Sequence, residues 1–412
     1  MLVTPAASEL IDVDTARRIA LDQVRPITAL RDLALTAGLG QVAARHVFAT
    51  CAMPFFTNSA VDGFALRQSD LTAADLLLPI AGTIAAGTDQ PRALPPGTAL
   101  RIFTGAPAPE GADTVVALED TREEDGTLVL SSCPKPGANL RLAGSDQPKG
   151  ACLLHRGTRI TPHHIGLLAA NGIARVCVLQ PPRVVVLSTG DELAAAGTNR
   201  AFGQVHDANR PMLLALAQAA GAEASDGGAL PDCVEALAER LLALSETADL
   251  IVTSGGVSMG GRDPIRPAFL AAGGSIGGWK VAIKPGKPVV FGRLGKAAFT
   301  GLPGNPFAAF AGFALFVAPQ LAAMTGQTPA PFAPFRGRAA FDWQRHPGRQ
   351  EVIPVRNLGP DTRGLPRLER LGNSVSATLF PLAAADGLAV VPAETASVAI
   401  GDLLSWHPFC AG

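Results

Sequence analysis

Apolar and polar positions follow four different rhythms along the chain. In residues 1–45, SELIDVDTARRIALDQV places apolar residues near helical spacing with Ser8 as an N-cap, which predicts helix. From 46 to 140 the short apolar runs LLLPIAGTI, TALRIFTG, DTVVALED and GTLVLSS are divided by Gly and Pro, which predicts a β-rich module. Residues 141–180 are mixed again, with TPHHIGLLAANGI a short helix ended by Gly172. The β-rich stretch lies between two mixed pieces, so it reads as an insertion into a first domain made of 1–45 and 141–180.

From 181 to 328 strands and helices alternate. The strand RVVVLS is followed by helices in MLLALAQAAG and CVEALAERLLALSE. The strand DLIVTS, a helix in PIRPAFLAA, the strands VAIK, PVVFG and AAFTG, and a helix from Pro306 come next. Continuous apolar strands between helices predict a parallel or mixed sheet covered on both faces, with ligands at the carboxyl ends of its strands. Beyond the linker TPAPFAP, residues 332–412 return to short strands, as in a small β-barrel. The most apolar segment, Phe307–Ala318 between Pro306 and Pro319, is shorter than the roughly 20 residues a bilayer needs, and predicts a buried helix instead. Glu9, Asp12 and Asp14 exclude a signal peptide at the N-terminus, so a cytoplasmic protein without a membrane span is expected.

Composition narrows the function. The 412 residues are 48% hydrophobic and 17% charged, which suits globular domains, and the formal net charge of -1 provides no basic field for nucleic acid. Any anion site must therefore be local. Six scattered cysteines form no CxxC pair, which predicts reduced, mostly buried thiols rather than a zinc site or disulfide framework.

Three loops of the α/β region follow strands and lead toward helices: STGDEL (188–193), TSGGVSMGGRD (253–263) and TGLPGNP (300–306). Exposed backbone N–H groups in such loops take anions. Gly255 and Gly260 have P-loop spacing, but Gly261 and Arg262 stand where that motif needs Lys and Ser or Thr. KVAIKPGKP offers Lys280, Lys284 and Lys287, and strand alternation would put Lys280 and Lys284 on one side, toward an oxyanion. The acids Asp191, Glu192 and Asp263 would repel a phosphate unless Mg²⁺ bridges them. Asp232 with Glu235 fits a helix capping box, which leaves the acid free to face a cleft as well. His163-His164 reads as a cap or surface pair. In the β-rich module Asp62-Gly63, Thr104-Gly105 and Asp146 sit in turns, each bland by itself.

Together NSAVDGFA, IFTGAPAPEGADTVV, GANLRLAGSD, PRVVVLSTGDEL, DLIVTSGGVSMG, VAIKPGKP and GLPGNP resemble, in order, the molybdopterin molybdenumtransferases of the MoeA type, related to the gephyrin E domain. The resemblance covers roughly 50–330. It implies an elongated dimerisation domain (1–45 and 141–180), an inserted β-rich domain (46–140), a MogA-like α/β domain with a mixed sheet that binds molybdopterin (181–328) and a C-terminal β-barrel (332–412). It implies insertion of molybdate into adenylylated molybdopterin, with release of AMP and dependence on Mg²⁺ or a similar divalent cation. It also implies a homodimer whose active cleft is shared between chains, and transient contact with other cofactor-biosynthesis proteins. Carried over by motif, Asp62, Thr104, Glu192, Asp263, Lys280 and Lys284 would be catalytic, with Glu192 and Asp263 on the metal. Asp146, Asp232, Ser254, Gly255, Gly256, Ser258, Pro303, Pro306, Arg349 and Ser376 would bind the pterin substrate. Val61, Phe64 and Gly261-Arg262 depart from the family pattern. A non-catalytic scaffold and an adenylyltransferase are the alternatives; the intact acid and lysine set and the β-rich insertion, respectively, argue against them.

Overall fold

The computed structural model describes residues 10–72, 76–87, 92–257, 263–373 and 375–409. The chain divides into two compact units, one containing residues up to 32, 40–42 and 177 onward, the other 33–39 and 43–176.

The first unit is built on a six-stranded sheet. Its order is Glu223–Leu230, Arg183–Thr189, Leu250–Ser254, Ala297–Leu302, Val290–Leu294, Ser275–Trp279. The first four strands run parallel, and Val290–Leu294 is antiparallel to both its neighbours. The sequence pattern explains the layering. Val184, Val186, Leu250 and Val252 face one way, onto the helices Val13–Asp22, Asn209–Ala219 and the helix starting at Pro306, through Ala16, Leu213 and Phe307. Val185, Leu187 and Ile251 face the other way, onto Val234–Ser245 and Ile265–Ala271, through Leu237, Leu241 and Phe269. Alternate residues of one apolar run thus feed two cores, as a doubly covered sheet requires.

Both edge strands differ from the sequence reading. Glu223–Leu230 (EASDGGAL) has the composition of a turn, yet it pairs along Arg183–Thr189, with an irregular register after Val186. A polar outer strand protects an open sheet edge. At the other edge the strand is the glycine-rich Ser275–Trp279, not VAIK. The chain leaves the sheet at Lys280, which adopts φ 63°, and Ile283–Lys284 pairs instead with Gln350–Glu351 of the C-terminal region. Strand alternation therefore does not connect Lys280 to Lys284.

Of residues 10–45 only Val13–Asp22 is α-helix, and Leu30–Ala34 is a strand. The helix is capped by Asp12, whose Oδ1 accepts from Thr15 N–H at 2.9 Å; Ser8 lies outside the described residues. The apolar helix runs from Pro306 to Met324, the extent expected from the sequence, with a π turn at Phe313–Val317 just before Pro319. That widened turn accommodates a proline inside the helix, because the missing N–H falls where the regular ladder is already interrupted. Among the described residues it is the one helix long and apolar enough to cross a bilayer, and 72% of its most apolar window is buried in the fold.

In the C-terminal region, Gln350–Pro360, Pro366–Arg370, Phe335–Ala339, Leu403–Pro408 and Gly387–Val391 pair in that order, and the last returns to the first. They form a closed five-stranded barrel around Ile353, Val355, Leu368, Val391 and Trp406. Closure leaves no free edge.

The second unit holds a six-stranded sheet with Phe64, Leu66 and Leu128 packed on one face and Leu100, Ile102 and Val115 on the other. Its helix Pro162–Ala170 ends at Gly172 as expected, and His164 caps it: Nδ1 accepts from Thr161 N–H at 3.1 Å.

Candidate active site

At the carboxyl ends of the parallel strands the loops of the first unit enclose a cavity of about 1010 Å³. Glu192, Asp232, Ser254, Gly255, Gly256, Asp263, Lys284, Pro303, Pro306, Arg349 and Ser376 all line it. These eleven positions are spread over the chain from 192 to 376, and the sheet and barrel bring them together. Ser258 lies outside the described residues. Lys280 is absent from the lining; it is buried, with its Nζ 5.3 Å from the centre of the Trp279 ring.

The loops are fastened to one another from below. Asn209, at the start of its helix, donates from Nδ2 to Ser254 Oγ at 2.7 Å and to Gly304 O at 2.6 Å. Ser254 Oγ in turn donates to Pro303 O at 3.3 Å. Asn305 Nδ2 donates to Ser376 Oγ at 2.8 Å, and Phe307 N–H to Ser376 O, so Ser376 secures the PGNP turn. Gly255 has φ 94°, and a Cβ there would lie 2.4 Å from Thr189 O; Gly256 has φ 63°, and a Cβ there would lie 2.8 Å from Ile265 and 2.9 Å from Thr189. Only glycine takes both conformations at that approach. Gly255 N–H is bonded to Leu302 O at 3.1 Å, so it is not a donor for a ligand, contrary to the expectation for the whole glycine run.

Asp232 does not cap its helix. The N-cap is Cys233, and Asp232 Oδ1 instead accepts from Thr189 Oγ1 at 2.5 Å, across the loops. The capping-box reading fails because the helix begins one residue later than the motif requires.

The lining contains four carboxylates, Glu192, Asp207, Asp232 and Asp263, against Lys284 and Arg349. Asp207 is held by Arg210, Nε to Oδ2 2.9 Å, and Arg210 also grips Asp226. Burial alone would lower the Arg210 pKa, but hydrogen bonds to Asp226 and Asp207 raise it above its ordinary value. Lys284 Nζ sits 3.0 Å from Glu351 Oε1, and Arg345 Nε is 3.2 Å from Oε2 of the same carboxylate. Glu351 is 1% exposed and Lys284 is partly open, so the buried acid aims the lysine at the cavity. Glu351, Asn209 and Asp207 were not found in the sequence. Their roles depend on partners 67, 45 and 3 residues away, and no local motif encodes the first two.

Asp62, Thr104 and Asp146 belong to the second unit, where the other motif segments meet. Asn58 and Ser59 pair with Arg141 and Leu140, and Gly105 N–H donates to Ser59 O. Asp62 Oδ1 accepts from Thr104 N–H at 2.7 Å and Thr104 Oγ1 at 2.9 Å. These two bonds, the backbone one first, lower the Asp62 pKa below its ordinary 3.8. Asp146 is exposed on the neighbouring loop, its N–H donating to Met53 O.

A doubly covered α/β sheet with a polar cleft at its strand ends, joined to a β-barrel that supplies further lining, is the architecture of a small-molecule site. Family models described as "MoeA N-terminal region (domain I and II)", "Probable molybdopterin binding domain" and "MoeA C-terminal region (domain IV)" match residues 11–172, 185–323 and 336–409. Molybdopterin molybdenumtransferase from Haemophilus influenzae is 40% identical over 316 residues, 76% of this chain and 78% of that protein. Its counterpart from Nostoc sp. is 34% identical over 366 residues, 87% and 84% of the two chains. The crystal structure of a molybdopterin biosynthesis MoeA protein from Pyrococcus horikoshii superposes with a TM-score of 0.82 at 25% identity, covering 97% of this chain and 99% of that one. The chain belongs to the molybdopterin molybdenumtransferase family and is a transferase of molybdenum cofactor biosynthesis.

Proposed function

We propose that this transferase inserts molybdenum from molybdate into adenylylated molybdopterin in the cavity at the strand ends, releasing AMP with the help of a hard divalent cation. The observation that carries the reading is one cavity in which Glu192, Asp232, Asp263, Lys284 and Arg349 converge from two folded layers. It is large enough for a drug-sized ligand and more.

In this reaction the phosphoanhydride bond to AMP breaks by net addition of water. The dithiolene sulfurs replace oxygens on molybdenum, and those oxygens leave as water. Lys284 and Arg349 meet the oxyanions of the phosphate and of molybdate. Asp232, held by Thr189, takes a donor of the pterin or ribose. Gly256 lets the substrate approach the backbone, and Pro303 with Pro306 shapes the turn that Ser376 and Asn209 secure. The family's lysine at position 280 acts through position, because its side chain packs on Trp279 outside the lining. The reaction depends on placement and charge rather than on a protein nucleophile.

The oxygen donors fit Mg²⁺. Asp263 and Glu192 line the cavity, and among the described residues no three acids converge there within 4.8 Å as a preformed cage. Mg²⁺ commonly takes one or two carboxylates together with substrate phosphates. When bound, it offsets phosphate charge and polarises the anhydride.

We further infer a homodimer in which Asp62, Thr104 and Asp146 of one copy complete the cavity of the other. Their exposure supports that role: the pair is ordered by its own hydrogen bonds and presents the free carboxylate oxygen outward.

The purified chain, given adenylylated molybdopterin, molybdate and Mg²⁺, is expected to release AMP and yield a pterin with the mass of the molybdenum adduct. Asp263→Asn is expected to lose about 100-fold or more in rate. An absence of AMP with every divalent cation tried, or consumption of ATP instead, would overturn the reading.

A further inference from the structure

The neck of the inserted module carries chemistry of a different kind. The chain enters the module through Val47–Phe48 and leaves through Cys152–Leu154, and these strands pair antiparallel with Cys152 opposite Phe48 and an irregularity between Cys152 and Leu154. Ala49 N–H donates to Ala151 O at 2.8 Å and Gly150 N–H to Ala49 O at 2.9 Å, which holds the two strands together beyond their ends. His46 precedes the first strand and His155 follows the second. Cys152 Sγ lies 3.5 Å from His155 Nδ1 and 3.9 Å from His46 Nδ1. One ligand atom from each of the three lies within 4.8 Å of the others, and the two imidazoles stand edge to face at 5.6 Å.

We propose that His46, Cys152 and His155 form a zinc site that clamps the entry and exit strands of the module. Zn–S and Zn–N bonds of about 2.3 and 2.05 Å at a tetrahedral angle separate sulfur from nitrogen by about 3.6 Å. The Cys152–His155 distance already meets that value, and His46 reaches it by a small ring rotation. One thiolate with two imidazoles is a borderline-soft donor set, suited to Zn²⁺ and poorly suited to Mg²⁺ or Ca²⁺. Cys152 and His155 come from a local CxxH step, while His46 comes from 106 residues away. That pattern escapes a search for CxxC pairs. None of the described cysteines is buried, against the sequence expectation, and Cys152 is half-buried with both histidines exposed. The fourth position therefore faces solvent and takes water.

Binding is an exchange of a proton for a metal. The Cys152 S–H proton leaves to solvent as the S–Zn bond forms, the contact from Sγ to Leu154 O is lost, and no electrons transfer. The long 3.4 Å hydrogen bond from Arg156 N–H to His46 Nδ1 gives way to the metal. An ion held from both strands binds the folded neck and not the open chain, so it stabilises the module by mass action. The inference is independent of the substrate reading, since the cluster and the strand-end cavity share no residue.

The test is equilibrium dialysis of the full chain against Zn²⁺ with metal analysis, together with absorbance titration by Co²⁺. One zinc per chain, a thiolate-to-cobalt charge-transfer band and a rise in Tm with Zn²⁺ are expected. Cys152→Ser and His155→Ala are expected to weaken Zn²⁺ binding by about 100-fold or more, while His163→Ala, on the helix outside the cluster, leaves it unchanged. The wild-type cobalt band keeps the test decisive even where a variant misfolds. No saturable binding, no charge-transfer band, or equal Zn²⁺ affinity in folded Cys152→Ser would overturn the proposal.

Discussion

In the first unit the groups beneath the cavity are buried and bonded to one another, whereas in the second unit Asp62 and Thr104 sit on open surface and satisfy each other locally. Asn209 and Glu351 are 7% and 1% exposed, and each joins segments far apart in sequence. The Asp62 carboxylate needs only the next loop. Cavity geometry in the first unit is thus part of the core and stands or falls with it. The second unit's tip is a surface fitting that can change without disturbing its sheet. Low dielectric around the first set makes every lost partner expensive, and water around the second makes it cheap.

The sharpest way to break this contrast is Glu351→Ala. It removes the carboxylate shared by Lys284 and Arg345, and Arg345 is 3% exposed. Leaving a buried guanidinium without its counter-charge is expected to cost about 3–5 kcal/mol in denaturant unfolding. Asp62→Ala, on the surface, is expected to leave the unfolding midpoint nearly unchanged. Equal costs for the two would remove the distinction.

Asn209→Ala should have a middle-sized effect. It strips the donor from Ser254 Oγ and Gly304 O, and a loss of about 1–3 kcal/mol is expected in the same measurement. A neutral result would mean that the loops hold themselves.

The smallest effect concerns acid. The folded-state pKa of Asp62 is lowered, so its stabilising contribution is present above 3.8 and is lost as pH falls through the folded value. Thr104→Val removes the side-chain bond and keeps the backbone one. The Asp62 pKa, followed by carboxyl NMR, is expected to rise toward 3.8 without reaching it. No movement would show that the backbone N–H alone sets the titration.

Much of the architecture was legible in the sequence. Apolar runs such as Val184–Leu187 and Leu250–Val252 read as strands covered on both faces, and they lie inside the doubly covered sheet. The edge strands were not legible, because Glu223–Leu230 and Ser275–Trp279 bear few apolar residues and take their form from a neighbour's hydrogen bonds. Nor was the end of the sheet at Lys280 legible, since VAIK has a strand's composition and only its pairing with the barrel reveals its place. Asp232 shows the same limit at a single residue: its spacing to Glu235 matches a cap, but the helix is capped at Cys233 and the carboxylate accepts from Thr189 instead.

The sequence by itself determined the central apolar strands, the residue types that the strand-end loops offer and the family, because each rests on local composition and on motifs read within a few residues. Tertiary structure alone decided which of those loops share a cavity, that Lys284 enters it while Lys280 packs on Trp279, that Glu351 aims the lysine, and that His46 meets Cys152 and His155. The physical reason is the same in each case. Those contacts join residues far apart in the chain, and their partners are fixed by sheet register and barrel closure, which no single segment contains.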